Sequence, residues 1–218
     1  MAYIIFDYDG TLHKSDHIYA PAFRKAVSYL YDKKLVDTYE YTDEEIVKWI
    51  GVTPKDMWES FASHISKEEQ EVCSNIISDE MLRLIENKVA QLYPRALEVL
   101  ETLKSSGHHL IFLSNCKIKY MLAHRACFSL DNYFDEFYCS EQFGFIPKYK
   151  IYESIQNNFS GEVIVIGDRI QDIEIAIKYD LISIGCSYGY GKEEELINSN
   201  FCVSNISDIL LVLQELIN

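Results

Sequence analysis

Asp7 and Asp9 stand two residues apart at the end of the apolar run Tyr3-Ile4-Ile5-Phe6, with Gly10 directly behind them. The run reads as a buried strand, and an exit built from acids and a glycine delivers carboxylates to the carboxyl edge of a sheet, where open α/β folds bind ligands. Residues two apart in extended backbone put their side chains on the same side. Carboxylates so placed can attack a substrate, carry a proton or hold a hard cation. Three later segments extend the pattern. His109-Leu110-Ile111-Phe112-Leu113 is a second apolar run and ends in Ser114-Asn115; Pro147-Lys148-Tyr149-Lys150 sets two cations ahead of a helical stretch. Glu162-Val163-Ile164-Val165-Ile166-Gly167 is a further strand pattern, ending in Asp168 with Asp172 four residues on.

The elements that must position these groups fall into two textures. From about Ile18 to Gln91 the periodicity is helical throughout: Phe23, Ala26, Val27 and Leu30 share a face. Thr42-Asp43-Glu44-Glu45 is a capping-box start, Thr53-Pro54 opens the next helix, and Ser66-Lys67-Glu68-Glu69 opens a long one reaching towards Val89. From Tyr93 onwards strands and helices alternate. Helices are expected at 95–105, 117–127, 149–157, 170–179 and 206–216, and strands at 109–113, 136–139, 162–166, 181–184 and 201–203. Alternation of this kind implies a mainly parallel sheet covered on both faces. The expected organisation is therefore an α/β core of residues 1–14 and 92–218, interrupted by an all-helical unit at 15–91.

Composition narrows the function classes. The chain has 218 residues, 48% of them hydrophobic, which suits one sizeable core with an insertion. Its 34 acidic residues against 20 basic ones give a formal charge of −14, which repels nucleic acid and anionic membrane. Neither is expected as a partner, and an anionic substrate would need local cations. A strand begins almost at the amino terminus, so no signal peptide is expected. No apolar run is long enough to span a membrane. The six cysteines are scattered without a C-x-x-C pair, so neither a zinc site nor a disulfide framework is expected; reduced thiols in a cytoplasm are the default. Cys116, next to the second strand exit, reads as a small buried filler.

Acid pair, hydroxyl, lysine and acid pair, in that order and mostly at strand exits, resemble the four motifs of the haloacid dehalogenase superfamily. The all-helical insertion after the first motif resembles its helical-cap branch, the group of phosphoglycolate phosphatase and β-phosphoglucomutase. The resemblance implies a Rossmann-like core and phosphoryl transfer. In that chemistry Asp7 is the natural nucleophile, since a carboxylate can form an aspartyl-phosphate. The resemblance assigns Asp9 the proton work, first as acid towards the leaving oxygen and then as base towards water. Crowded acids call for a hard cation, and Mg²⁺ suits phosphate. By the resemblance Asp7 and Asp168 ligate it directly, Asp9 through its carbonyl, and Asp172 directly or through water. Ser114 binds a phosphoryl oxygen, helped by Asn115, and Lys148 supplies compensating charge.

Several positions keep two readings. Asp172 also reads as a first-turn helix carboxylate favoured by the helix dipole. The family writes Lys-Pro where this chain has Pro147-Lys148, so Lys150 stays an alternative to Lys148. Arg169 stands where small or hydroxyl residues are common in the family; it could reach substrate or pair with an acid. Lys55, in the turn between two cap helices, is a candidate substrate contact, with a solvated first-turn lysine as the bland reading. His13 and Lys14 face the cleft by position alone. The expected activity is a Mg²⁺-dependent phosphatase of a small phosphorylated metabolite. A phosphomutase of the β-phosphoglucomutase type is the alternative, and a non-catalytic ligand-binding protein on the same fold is the reading from another class. A dehalogenase is disfavoured, since that branch has no acid at the position of Asp9.

Overall fold

The computed structural model describes residues 1–217. Its sheet has six strands, all parallel: β1 (Tyr3–Phe6), β2 (His109–Ser114), β3 (Glu136–Cys139), β4 (Val163–Gly167), β5 (Ile182–Cys186) and β6 (Phe201–Val203). Their order across the sheet is β3-β2-β1-β4-β5-β6, which puts β1 in the middle with β2 and β4 as its neighbours. Phe6 pairs in register with Phe112 and Ile166, and β4 runs one residue and β2 two residues past that level. The shared carboxyl edge brings the ends of β1, β2 and β4 together.

The strands read as continuous apolar runs because both faces are covered. Ile4, Phe6, Leu110, Phe112, Ile164 and Ile166 point to one face, into a core shared with α5 (Ala96–Ser105), α6 (Ile118–Phe128) and α10 (Asp208–Ile217). Ile5, Ile111, Leu113, Val163 and Val165 point to the other, onto Ile151 and Tyr152 of α7 (Lys148–Ile155) and Ile175 of α8 (Ile170–Tyr179). The period-2 alternation of each strand thus divides between two cores.

Between β1 and α5 the chain forms four helices: α1 (Asp16–Asp32), α2 (Asp43–Val47), α3 (Pro54–Ala62) and α4 (Lys67–Glu86). Phe23, Val27 and Leu30 of α1 meet Ile46, Met57, Trp58, Cys73 and Ile77 in an apolar cluster of their own. Thr42, Thr53 and Ser66 cap these helices as expected, each hydroxyl accepting from the backbone N–H three residues on. α4 stops at Glu86 because Lys88 turns left-handed and Val89 donates back to the Leu84 carbonyl. The two connections to the sheet run side by side: Lys14 N–H donates to Gln91 and Tyr93 N–H to Leu12. Two details depart from the sequence reading. β5 extends to Cys186, and a short helix, α9 (Glu193–Leu196), follows it. No helix among the described residues is long and apolar enough to cross a membrane, and all six cysteines are free.

α6 carries a buried histidine into the base of this architecture. His124 accepts or shares a hydrogen bond with the Tyr8 hydroxyl at 2.8 Å, and its ring packs on His13 and Tyr120. Burial, then the neighbouring His13, holds its pKa well below the usual histidine value. The folded state therefore refuses a proton that the unfolded chain takes up near pH 6.5. Its contribution to stability is complete above about pH 6.5 and is lost as pH falls below it. This proton favours unfolding by up to about 1.4 kcal/mol per pH unit below about pH 6.5. Carboxyls that burial pushes up, Asp7 and Asp168, pull the other way in this range, so the measure is a difference: in denaturant titrations from pH 7 to 5 the wild type should lose stability relative to His124→Phe.

Candidate active site

The exit of β1 is a tight loop in which the Tyr8 carbonyl accepts from the N–H groups of Leu12 and His13, both at 2.9 Å. Gly10 sits at φ +89°, and a β-carbon there would lie 2.2 Å from an Asp168 carboxylate oxygen, so only glycine lets the two strand exits approach. Gly167 works the same way, since a β-carbon would meet the Asp172 carboxyl at 2.3 Å. These two glycines let three acids share one buried space. Asp7, Asp168 and Asp172 each offer an oxygen within 4.8 Å of the others, and all three are buried.

One cation is set among them. Lys148, the first residue of α7, is 3% exposed and donates to Asp7 Oδ1 at 2.5 Å and to Asp172 Oδ1 at 2.6 Å. Lys150 is exposed on the outer side of the same helix. Burial, the Asp172 charge and that of Asp168 push the Asp7 carboxyl well above its usual range, against the pull of Lys148. Burial and Asp172 likewise push Asp168 up to about 7. Three carboxylates against one ammonium leave a negative surplus, and Asp7 Oδ2 is buried with no hydrogen-bond partner among the described residues. An orphaned oxygen in an all-carboxylate cluster fits a hard divalent cation. Asp172 Oδ2 accepts from the Arg169 N–H at 3.1 Å, which caps α8 as a first-turn carboxylate does, while Oδ1 faces Lys148.

Asp168 owes its position to a segment that the sequence reading passed over. The loop Tyr188-Gly189-Tyr190-Gly191 after β5 lies against it, and the Tyr190 N–H donates to Asp168 Oδ2 at 2.7 Å. A β-carbon on Gly189 would sit 2.3 Å from that of Asp168. Glycine alternating with tyrosine just past a strand was the available signal. The Tyr190 hydroxyl also donates to Asp16 at 2.7 Å, tying this loop to the start of α1.

Asp9 is held apart from the acid cluster. One of its oxygens receives the hydroxyls of Ser15 at 2.5 Å and Tyr120 at 2.6 Å, and lies 3.1 Å from His13 Nδ1. Burial raises its pKa, but the bonds from His13, Ser15 and Tyr120 outweigh burial and hold it below the usual carboxylate value. Only the position of His13 was readable beforehand; Tyr120 comes from α6, 111 residues away.

Ser114 is buried at the end of β2. It does not cap α6, whose N-cap is Lys117. Asn115 instead reaches the helical unit, donating from Nδ2 to the Gly51 carbonyl at 3.1 Å. Arg169 donates from Nη1 to the adjacent Ile50 carbonyl and from Nε to Glu195 at 3.0 Å. Two sheet-edge side chains thus grip consecutive carbonyls of the turn at Ile50 and Gly51. Lys55 lies elsewhere: its side chain is 80% exposed on the outer face of α3, 3.9 Å from Glu59, and the structure does not bring it to the site. Beside Asp9 a cavity of about 120 Å³ separates the sheet edge from the helical unit, and Asn115, Cys116 and Tyr120 border it.

A parallel sheet whose central strand ends in acids, facing a helical insertion, defines an α/β enzyme core. Residues 4–186 match the family model of haloacid dehalogenase-like hydrolases, and the chain belongs to that family. It is similar to a phosphoglycolate phosphatase of Haemophilus influenzae, 27% identical over 129 residues; the match spans 51% of this chain and 52% of that protein, about half of each. A predicted phosphatase from Clostridium acetobutylicum has the same fold, with a TM-score of 0.81, 26% identity and 98% of both chains covered. A predicted phosphoglycolate phosphatase from Haemophilus somnus 129pt shares the fold at a TM-score of 0.79 and 21% identity, with 97% of both chains covered.

The clasp on Asp9 generates a prediction. A hydrogen bond to a charged group contributes about 1.5–3 kcal/mol. Tyr120→Phe should destabilise the protein by about that amount in urea titration at pH 7, and by less at pH 4, where Asp9 loses charge in the variant. Equal destabilisation at both values would mean that Tyr120 acts by packing alone.

Proposed function

We propose that the protein is a phosphatase that hydrolyses a small phosphorylated metabolite, with Asp7 as nucleophile. The observation that carries this reading is the state of Asp7: buried, one oxygen engaged by Lys148 and the other without a partner. A buried carboxylate retained without full hydrogen bonding is costly unless it does chemistry or binds a cation. Phosphatase relatives support the same reading.

In the first step Asp7 attacks phosphorus, the bond to the leaving oxygen breaks, and Asp9 in its acid form gives that oxygen a proton. In the second step Asp9, now a carboxylate, takes a proton from water. That water attacks the phosphoryl group on Asp7, releasing inorganic phosphate and restoring both acids. The bonds from Ser15, Tyr120 and His13 favour the carboxylate that the second step needs. The charge of a bound phosphate favours the protonated form that the first step needs. Ser114 donates to a phosphoryl oxygen, and Lys148 keeps Asp7 and the phosphoryl group from repelling one another. Asp7, Asp168 and Asp172 with the Asp9 carbonyl would hold Mg²⁺, whose charge offsets that of the phosphoryl oxygens.

On this reading residues 15–91 form a cap over a core of 1–14 and 92–218. The paired connections at Lys14 and Gln91 let the cap open, and the grips of Asn115 and Arg169 close it and exclude water. Free thiols and an acidic surface support a cytoplasmic setting.

Asp7→Asn should abolish phosphate release from p-nitrophenyl phosphate, and near-native turnover by that variant would sink the mechanism. EDTA should silence the wild type until Mg²⁺ is restored. Loss of the acid matters most for poor leaving groups, so Asp9→Asn should slow alkyl phosphates by at least tenfold more than aryl phosphates, on the order of the general-acid contribution. Equal losses across leaving groups would assign Asp9 a positioning role only.

A further inference from the structure

The cavity beside Asp9 has two unlike walls. On the sheet side lie Asp9, Asn115 and Lys117. The helical side offers Tyr19, Trp49, Val52, Met57, Ile77 and Met81, and no residue that the helical unit contributes to the lining carries a charge. Ser74 and Ser78 add two hydroxyls, and that of Ser74 accepts from Trp58 Nε1 at 2.7 Å. Lys117 is the one cation of the lining, half-exposed on the sheet side. Lys55, the cation that the sequence put forward for this wall, points to solvent.

Size and chemistry restrict what can occupy the space. An apolar cavity of about 150 Å³ takes a benzene-sized guest, so about 120 Å³ accommodates roughly one ring or a short branched chain. A body bearing a second anion would lose its water against tryptophan, isoleucine and methionine and meet hydroxyls but no cation on that wall, and uncompensated charges are not buried that way. The chain's charge of −14 disfavours it further. An uncharged apolar or aromatic body gains from the same wall, and aromatic faces and thioethers contact rings well.

We propose that the substrate is a phosphate monoester of an uncharged alcohol with an apolar body of about one ring, and not an ester carrying a carboxylate or a second phosphate. The proposal rests on the phosphatase reading above. It differs from what the name of the Haemophilus influenzae relative would suggest, because glycolate is an anion.

The test compares benzyl phosphate with phosphoglycolate, two esters of similarly poor leaving alcohols, in the presence of Mg²⁺. The expected result is a kcat/KM at least tenfold higher for benzyl phosphate. Val52→Lys, at a half-buried position of the cavity wall, should reduce that ratio at least tenfold. Phosphoglycolate hydrolysed as well as benzyl phosphate, or better, overturns the substrate class and leaves the phosphatase reading standing. Hydrolysis of neither ester, nor of p-nitrophenyl phosphate, overturns the phosphatase reading. Calorimetry with Asp7→Asn then decides the cavity's preference. Binding of benzyl phosphate at least tenfold tighter than phosphoglycolate upholds the apolar ligand class, and equal or reversed affinities reject it.

Discussion

The mutual repulsion of Asp7, Asp168 and Asp172 is the constraint around which the rest of the structure is arranged. Three carboxylates within 4.8 Å of one another, shielded from water, cannot all keep their charge at no cost. Lys148 relieves part of it by donating to two of them. An ammonium has a third donor but no more charge to give. Breaking a buried pair of this kind typically costs about 3–5 kcal/mol, because the remaining charge is left without compensation. The sheet tolerates the cluster because its carboxyl edge is the one place where three strand ends, a helix start and a glycine-rich loop can all supply partners.

A second demand is that a neighbouring acid behave differently. Asp9 lies two residues from Asp7 yet turns into a separate nest of donors, so one acid is pushed up in pKa and the other held down. Environments that separate two acids in this way suit unlike roles for them. The nest is built from Ser15, at the connection to α1, and Tyr120, on α6. The loop after β5 reaches α1 through Tyr190 and Asp16. Ser15 on Asp9, and Asp16 on the Tyr190 loop, thus join both parts of the site to the start of the helical unit.

Much of this was legible in the sequence, for a physical reason. A parallel strand buried on both faces writes an unbroken apolar run, so its end is sharp and the polar residue there is conspicuous; Asp7, Ser114 and Asp168 all declare themselves this way. Pro147 ends the preceding loop, which makes Lys148 the first helical residue and turns it inward, leaving Lys150 outside. What stayed hidden depends on contacts far apart in the chain. Tyr120 is an ordinary helix tyrosine until the fold sets it beside Asp9, and Arg169 is a loop arginine until Ile50 comes within reach. Lys55 misled because its place in the chain, near the Gly51 turn, is right while its face of α3 is wrong. α9 spans only Glu193–Leu196, too few residues to show a period.

The central claim is that the acid cluster is balanced by a divalent cation and that Asp168 is among its holders. Isothermal titration calorimetry with Mg²⁺ on the wild type and on Asp168→Asn tests it without reference to any substrate. The expected result is a single saturable site in the wild type and its loss, or at least a tenfold weakening, in the variant, no less than the loss of an outer-shell partner of a metal ligand usually costs. No Mg²⁺ binding by the wild type, or undiminished binding by Asp168→Asn, would contradict it.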